Sequence, residues 1–101
     1  MTIKMRILQT YAAAHEREFL ALEKKFAAME KRRPTFPQGV RYQPLASGLP
    51  TNTLIWECEF ATLDAAHAAL QLFAGDPQHE ALARQQRKYF KDVRIEFLAK
   101  L

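Results

Sequence analysis

Apolar and polar residues alternate with a period of two over residues 3–11, IKMRILQTY, where Ile3, Met5 and Ile7 oppose Lys4 and Arg6. That is the pattern of a half-buried strand. The period lengthens from about His15. Phe19, Leu22, Phe26 and Met29 recur at spacings of three and four as far as Arg33, with Glu16, Glu18, Glu23, Lys24, Lys25 and Glu30 supplying a polar face, so an amphipathic helix is predicted. Pro34 ends it, because the proline ring disfavours helical geometry at the residue before, and Pro37 with Gly39 extends the break. Residues 40–46, VRYQPLA, alternate again, with Val40 and Tyr42 expected inward and Arg41 and Gln43 outward. Pro44 cannot donate to a ladder, which places this strand at a sheet edge or bends it there.

Ser47, Gly48, Pro50 and Asn52 form a turn, and the following TLIWECEF, residues 53–60, is the strongest strand signal in the chain. The two strands should pair as a hairpin. Thr62 suits an N-cap and Asp64 a helix start, after which Leu63, Ala66, Leu70 and Phe73 recur with helical spacing. Gly75 can close that helix. Asp76 followed by Pro77 reads as a second N-cap with proline at the first helical position, opening a helix through HEALARQQRKYF. Residues 92–101 then alternate Val93, Ile95 and Phe97 against Arg94, Glu96 and Leu98, a fourth strand. Strand, helix, strand, strand, helix pair, strand is an α+β, ferredoxin-like βαββαβ order in one domain spanning residues 1–101. It implies a four-stranded antiparallel sheet with an extra helix before the last strand.

Composition narrows the classes without choosing an activity. Hydrophobic residues at 49% and charged residues at 26% are globular values, which sets aside disordered, collagen-like and coiled-coil chains. Cys58 is the only cysteine, so neither an intrachain disulfide nor a paired-cysteine zinc site can form, and a reducing, cytoplasmic setting is expected. No apolar run approaches the length of a membrane span, and the amino-terminal stretch is too short and interrupted for a signal peptide; no membrane partner is expected. The +4 net charge is concentrated at Lys31–Arg33 and between Arg84 and Lys91. Lys31, Arg32 and Arg33 complement the negative end of the first helix. No nucleic-acid-binding module accompanies these cations, so nucleic acid is not an expected partner. The signatures H-E-x-x-H, G-x-S-x-G, Walker A and G-x-G-x-x-G are absent from the sequence, and neither metal nor cofactor is expected.

Sorting the strands by parity gives a helix-covered face of Met5, Ile7, Val40, Tyr42, Leu54, Trp56, Cys58, Phe60, Val93, Ile95 and Phe97. The opposite face carries Arg6, Leu8, Arg41, Ile55, Glu57, Glu59, Arg94, Glu96 and Leu98, with Thr10, Gln43 and Leu45. Three arginines and three glutamates among long aliphatics suit either a solvated sheet or contact with a second copy, in which guanidinium forks would meet carboxylates. The expected partner on that face is the chain itself, as a two-fold homodimer.

The segments NTLIWECEF, DPQHEALARQQ and VRIEFLAKL, in this order around the second helix, resemble the dimeric α/β-barrel superfamily, within it the NIPSNAP-like and antibiotic-biosynthesis-monooxygenase-like proteins. The resemblance covers Ile3 to Leu101 and rests on pattern, not on a catalytic signature. It implies a dimeric α/β barrel with helices outside and a ligand pocket between sheet and helices or at the barrel mouth. It also implies a cofactor-independent monooxygenase-like activity on an aromatic or polyketide-like small molecule, or a non-catalytic binding or accessory module. The superfamily's haem-degrading branch places a histidine near the position of His79, but its first-strand asparagine and second-helix tryptophan have no counterpart here. His79, at a helix start, is the candidate catalytic base. Tyr42 is the candidate hydrogen-bond partner and Trp56 a pocket wall, and His67, on the second helix, is a further substrate-binding candidate.

Overall fold

In the computed structural model, which describes residues 2–101, the first predicted strand, β1 (Ile3–Tyr11), lies in the interior of the sheet. It pairs antiparallel with β3 (Thr53–Phe60) on one side and with β4 (Phe90–Ala99) on the other, and β2 (Val40–Tyr42) adds outside β3. The order β2-β3-β1-β4 is the ferredoxin-like one, and the sheet is open. Among the described residues three helices complete the fold: α1 (Glu16–Arg32), entered through a single 3-10 turn, α2 (Leu63–Gly75) and α3 (Pro77–Arg87).

The predicted caps are in place. Thr62 Oγ1 accepts from the Ala65 N–H at 3.1 Å, and the Asp76 carboxylate accepts from the His79 N–H at 2.9 Å with Pro77 opening α3. Asp76 also receives both arms of the Arg33 guanidinium, at 2.9 and 2.6 Å, so the end of α1 is clamped to the α2–α3 corner. The arginine fork and the cap bond together hold the Asp76 carboxyl at a pKa of about 2.

Among the described residues most buried apolar side chains gather in three groups between sheet and helices, while Leu8 and Ile55 are buried on the opposite face of the sheet. Met5 and Trp56 meet Ala66 and Ala69 of α2, Tyr11 and Leu54 meet Phe19 of α1, and Phe26, Met29 and Phe36 pack together at the far end of α1. Tyr11 stacks on Phe19 with centroids 4.3 Å apart and donates its hydroxyl to Glu16 at 2.9 Å. Burial and that carboxylate push the Tyr11 phenol up to about 12.

Three expectations need correction. The second strand is three residues long and turned over: Arg41 lies opposite Trp56, so Arg41 points to the helices, while Val40 and Tyr42 lie on the open face at 55% and 51% exposure. Arg41 therefore leaves the set of open-face residues and Tyr42 leaves the helix-covered set. The cause is on α1, where Glu23 and Glu30, assigned by pattern to the polar face, are buried beside Phe26 and Met29 and need a cation. Arg41 answers both. Third, α3 stops at Arg87, because the Tyr89 N–H turns back to the Gln86 carbonyl and Phe90 pairs with Tyr11 across a register shift that skips Lys91 of β4.

On the open face, the register sets Tyr42, Ile55, Leu8 and Arg94 in one row and Val40, Glu57, Arg6 and Glu96 in the next. Arg6 lies 3.6 Å from Glu57 and 3.5 Å from Glu96. The helices lean over β1 and β3 and leave the helix side of β4 uncovered: Val93, Ile95 and Phe97 are each more than a third exposed.

Candidate functional site: a cleft between sheet and helices

The incomplete cover of β4 opens a cleft of about 360 Å³, within the size range of small-molecule sites. Its floor is the row Arg41, Trp56, Ile7 and Ile95, with Gln9 and Val93 one step along the sheet. Phe26 of α1, Leu70 and Phe73 of α2, and Ala83 of α3 supply apolar walls, with Phe36 beside Phe73. Polar groups enter at two places.

The first is His79. Its position three residues after the Asp76 cap puts it in the first turn of α3 and aims the ring at the aromatic wall. The imidazole lies parallel to Phe73 at 4.8 Å and tilted against Phe26 at 4.9 Å. Burial among these rings lowers its pKa below the ordinary 6.5, against the opposing pull of Asp76, Glu30 and Glu80. The ring is neutral at pH 7 and keeps one acceptor nitrogen. Among the described residues no side chain or backbone group hydrogen-bonds either ring nitrogen. A neutral imidazole without a protein partner, on the wall of an aromatic cleft, is able to accept a proton from a bound phenol or enol.

The second is a buried ionic network that the pattern of the sequence conceals. Arg41 Nε donates to Glu23 Oε2 at 2.6 Å, and Arg41 Nη2 donates to Glu30 Oε2. Gln86 donates to Glu23 Oε1 at 2.9 Å, while the Trp56 indole and the Gly39 N–H donate to Glu30 Oε1 at 3.3 and 3.1 Å. Burial alone would depress the Arg41 pKa, but the hydrogen bonds and charges of Glu30 and Glu23 outweigh it and the net shift is upward. Glycine is required at position 39, because any side chain there would overlap the Trp56 indole. At the rim, Arg87 forks onto Glu80 at 2.9 and 3.0 Å.

The structure thus brings His79 and Trp56 to one cleft and keeps the other candidates out of it. Tyr42 is on the opposite side of the sheet. His67 is exposed on α2 and meets Phe97 edge-on at 5.2 Å, away from the cleft. Of the nine residues expected at a dimer contact, Arg6, Leu8, Ile55, Glu57, Glu59, Arg94, Glu96 and Leu98 share the open face and Arg41 does not. Glu23, Glu30 and Gln86 were not singled out as site residues. Spacing held a signal: Glu23 and Glu30 follow Phe19 and Phe26 by four, inside the buried stripe, and Gln86 follows His79 by seven, on the same side of α3. Among the described residues there is no cluster of three or more metal-ligating side chains, and no helix long and apolar enough to cross a membrane.

No protein-family model and no curated protein matches the chain. Solved structures do. A NIPSNAP family protein from Agrobacterium tumefaciens superposes with a TM-score of 0.81 at 14% identity, over 100% of this chain and 94% of its own. A NIPSNAP domain protein from Burkholderia xenovorans gives 0.79 at 17% identity, over 100% and 95%. A protein from Nitrosomonas europaea, provisionally named an antibiotic biosynthesis monooxygenase, gives 0.71 at 9% identity, over 99% and 90%. At these identities the likeness is one of fold, and the fold is the ferredoxin-like one of NIPSNAP and antibiotic-biosynthesis-monooxygenase-like proteins.

Proposed function

We propose that the protein is a homodimer that takes a hydroxylated aromatic small molecule into the cleft between sheet and helices, with His79 as proton acceptor. The observation that carries this reading is the His79 imidazole, neutral, unpartnered, stacked with Phe73 and Phe36 and tilted against Phe26 on the cleft wall. Deprotonating an electron-rich phenol or enol yields the anion that reacts with dioxygen. A monooxygenase-like reaction on an aromatic or polyketide-like substrate is therefore the activity this site suits, and the fold shared with the Nitrosomonas protein is consistent with it. Trp56 forms the floor under the substrate ring. The open face supports self-association through exposed Val40, Tyr42 and Leu98 set among charges of both signs. The Arg6 Nε atom is also buried there without a hydrogen-bond partner in the single chain.

Two measurements test this. Oxygen uptake with a polyhydroxylated naphthalene should fall about 100-fold or more in His79→Ala, while quenching of Trp56 fluorescence by the same compound persists. Quenching without oxygen uptake in the unsubstituted protein would leave a binding module without catalysis, and no quenching at all would remove the cleft as a site. For the dimer, Arg6→Glu sets a like charge beside Glu57 and Glu96 and should shift sedimentation toward the single chain. A protein that already sediments as one chain at micromolar concentration would contradict the paired state.

A further inference from the structure

We infer that Arg41 and Gln86 form the specificity-determining end of this cleft, and that they select an uncharged, elongated aromatic ligand bearing a hydrogen-bond acceptor beside a donor. An aromatic carboxamide is the simplest such ligand. The inference rests on the reading of the cleft as the ligand site and adds what lies opposite His79.

Gln86 is 2% exposed and its amide nitrogen is committed to Glu23 Oε1. A carboxylate accepts only from the NH2 side, so this bond turns the carbonyl Oε1 the other way. Among the described residues nothing donates to Oε1, although Gln86 lines the cleft. Arg41, held to the other oxygen of the same Glu23 carboxylate and to Glu30, has no protein partner on Nη1. One carboxylate thus positions a free acceptor and a free donor at one end of an apolar cleft.

Charge and length set the rest of the selection. Around the cleft, Glu80 is matched by Arg87, while Glu23 and Glu30 share the single cation of Arg41, leaving one negative charge in excess. An anionic ligand would meet that charge and the Gln86 carbonyl together, and both oppose it. His79 and Gln86 are seven residues apart on α3, two helical turns, so polar groups aimed at both need a spacing of about 10 Å. A flat bicyclic ring with a hydroxyl at one end and a carboxamide at the other has that length.

The test uses three probes, 6-hydroxy-2-naphthamide, 6-hydroxy-2-naphthoate and 2-naphthol, titrated against Trp56 fluorescence at pH 7.5. The amide should bind about 10-fold more tightly than either of the others. Gln86→Met should erase its advantage over 2-naphthol while leaving 2-naphthol binding within about twofold. Equal or tighter binding of the carboxylate, or a tenfold advantage that survives in Gln86→Met, overturns the inference. If Gln86→Met does not fold, the ranking of the three probes on the unsubstituted protein decides alone. Failure of the underlying reading is separate: it shows as oxygen uptake with a polyhydroxylated naphthalene that is unchanged in His79→Ala. Failure of all three probes to quench overturns both.

Discussion

Replacing Arg41 by Met, which keeps most of the apolar stem and removes the charge, leaves Glu23 and Glu30 facing each other at 7% and 6% exposure with no cation between them. Breaking a buried ion pair from one side costs about 3–5 kcal/mol, because the remaining charges stay desolvated and unpaired. Arg41 is itself 20% exposed through the cleft, so the lower end, about 3 kcal/mol, is expected. That is a large part of the roughly 5–15 kcal/mol that holds a domain of this size together. With a urea slope near 1.5 kcal/mol/M, the midpoint should drop by about 2 M. Trp56 is the only tryptophan and donates to Glu30, so its fluorescence reports unfolding from within the network. The companion variant carries Glu23→Gln, Glu30→Gln and Arg41→Met together. With all three charges gone its stability should return to within about 1.5 kcal/mol of the unsubstituted protein, since a neutral replacement of a buried ionic cluster costs little. Arg41→Met losing less than about 1 kcal/mol, or the triple variant proving less stable than Arg41→Met, would refute the claim that Arg41 neutralises these two carboxylates.

Three further outcomes are expected. Gly39→Ala forces a methyl group into the Trp56 indole and should cost about 1–3 kcal/mol by urea unfolding, whereas Gly48→Ala, with open space around it, should change little. Asp76→Ala removes the α3 cap, worth about 1 kcal/mol, and the Arg33 clamp. Because the Asp76 pKa is held at about 2, below the ordinary 3.8, its contribution is complete above pH 3.8 and vanishes as pH falls toward 2, so thermal melts of the two proteins should converge there. The His79 pKa lies below 6.5, so substrate deprotonation should persist on acidification past 6.5 and fail only lower; a pH–rate midpoint above 6.5 would contradict the buried, neutral ring.

The elements with strong local punctuation were legible in the sequence. Thr62 and the Asp76-Pro77 pair marked the starts of α2 and α3 through side-chain chemistry that acts within a few residues, and the alternation of β1, β3 and β4 ran long enough to fix which side each residue faces. β2 was misread for the opposite reason. On a three-residue edge strand, alternation is a weak constraint, and inward-facing Val40 and Tyr42 would gain less than two buried glutamates gain from one arginine. Glu23 and Glu30 looked like surface residues because a helical stripe is read by hydrophobicity, and a carboxylate inside it carries no mark of a partner 18 or 11 residues away. His79 and Trp56 were legible as cleft residues because one follows a cap and the other sits mid-strand. The Arg41–Gln86 end was not, since it is assembled by Glu23 from three separate elements.

Mapping backbone and side-chain 15N shifts on titration with 2-naphthol decides whether the cleft is the ligand site. The largest changes should fall on the Trp56 indole N–H, the His79 ring and the Gln86 amide, with Val40 and Tyr42 on the opposite side of the sheet unmoved. Shifts confined to Val40, Tyr42 and their open-face neighbours, with Trp56 and His79 unchanged, would contradict it.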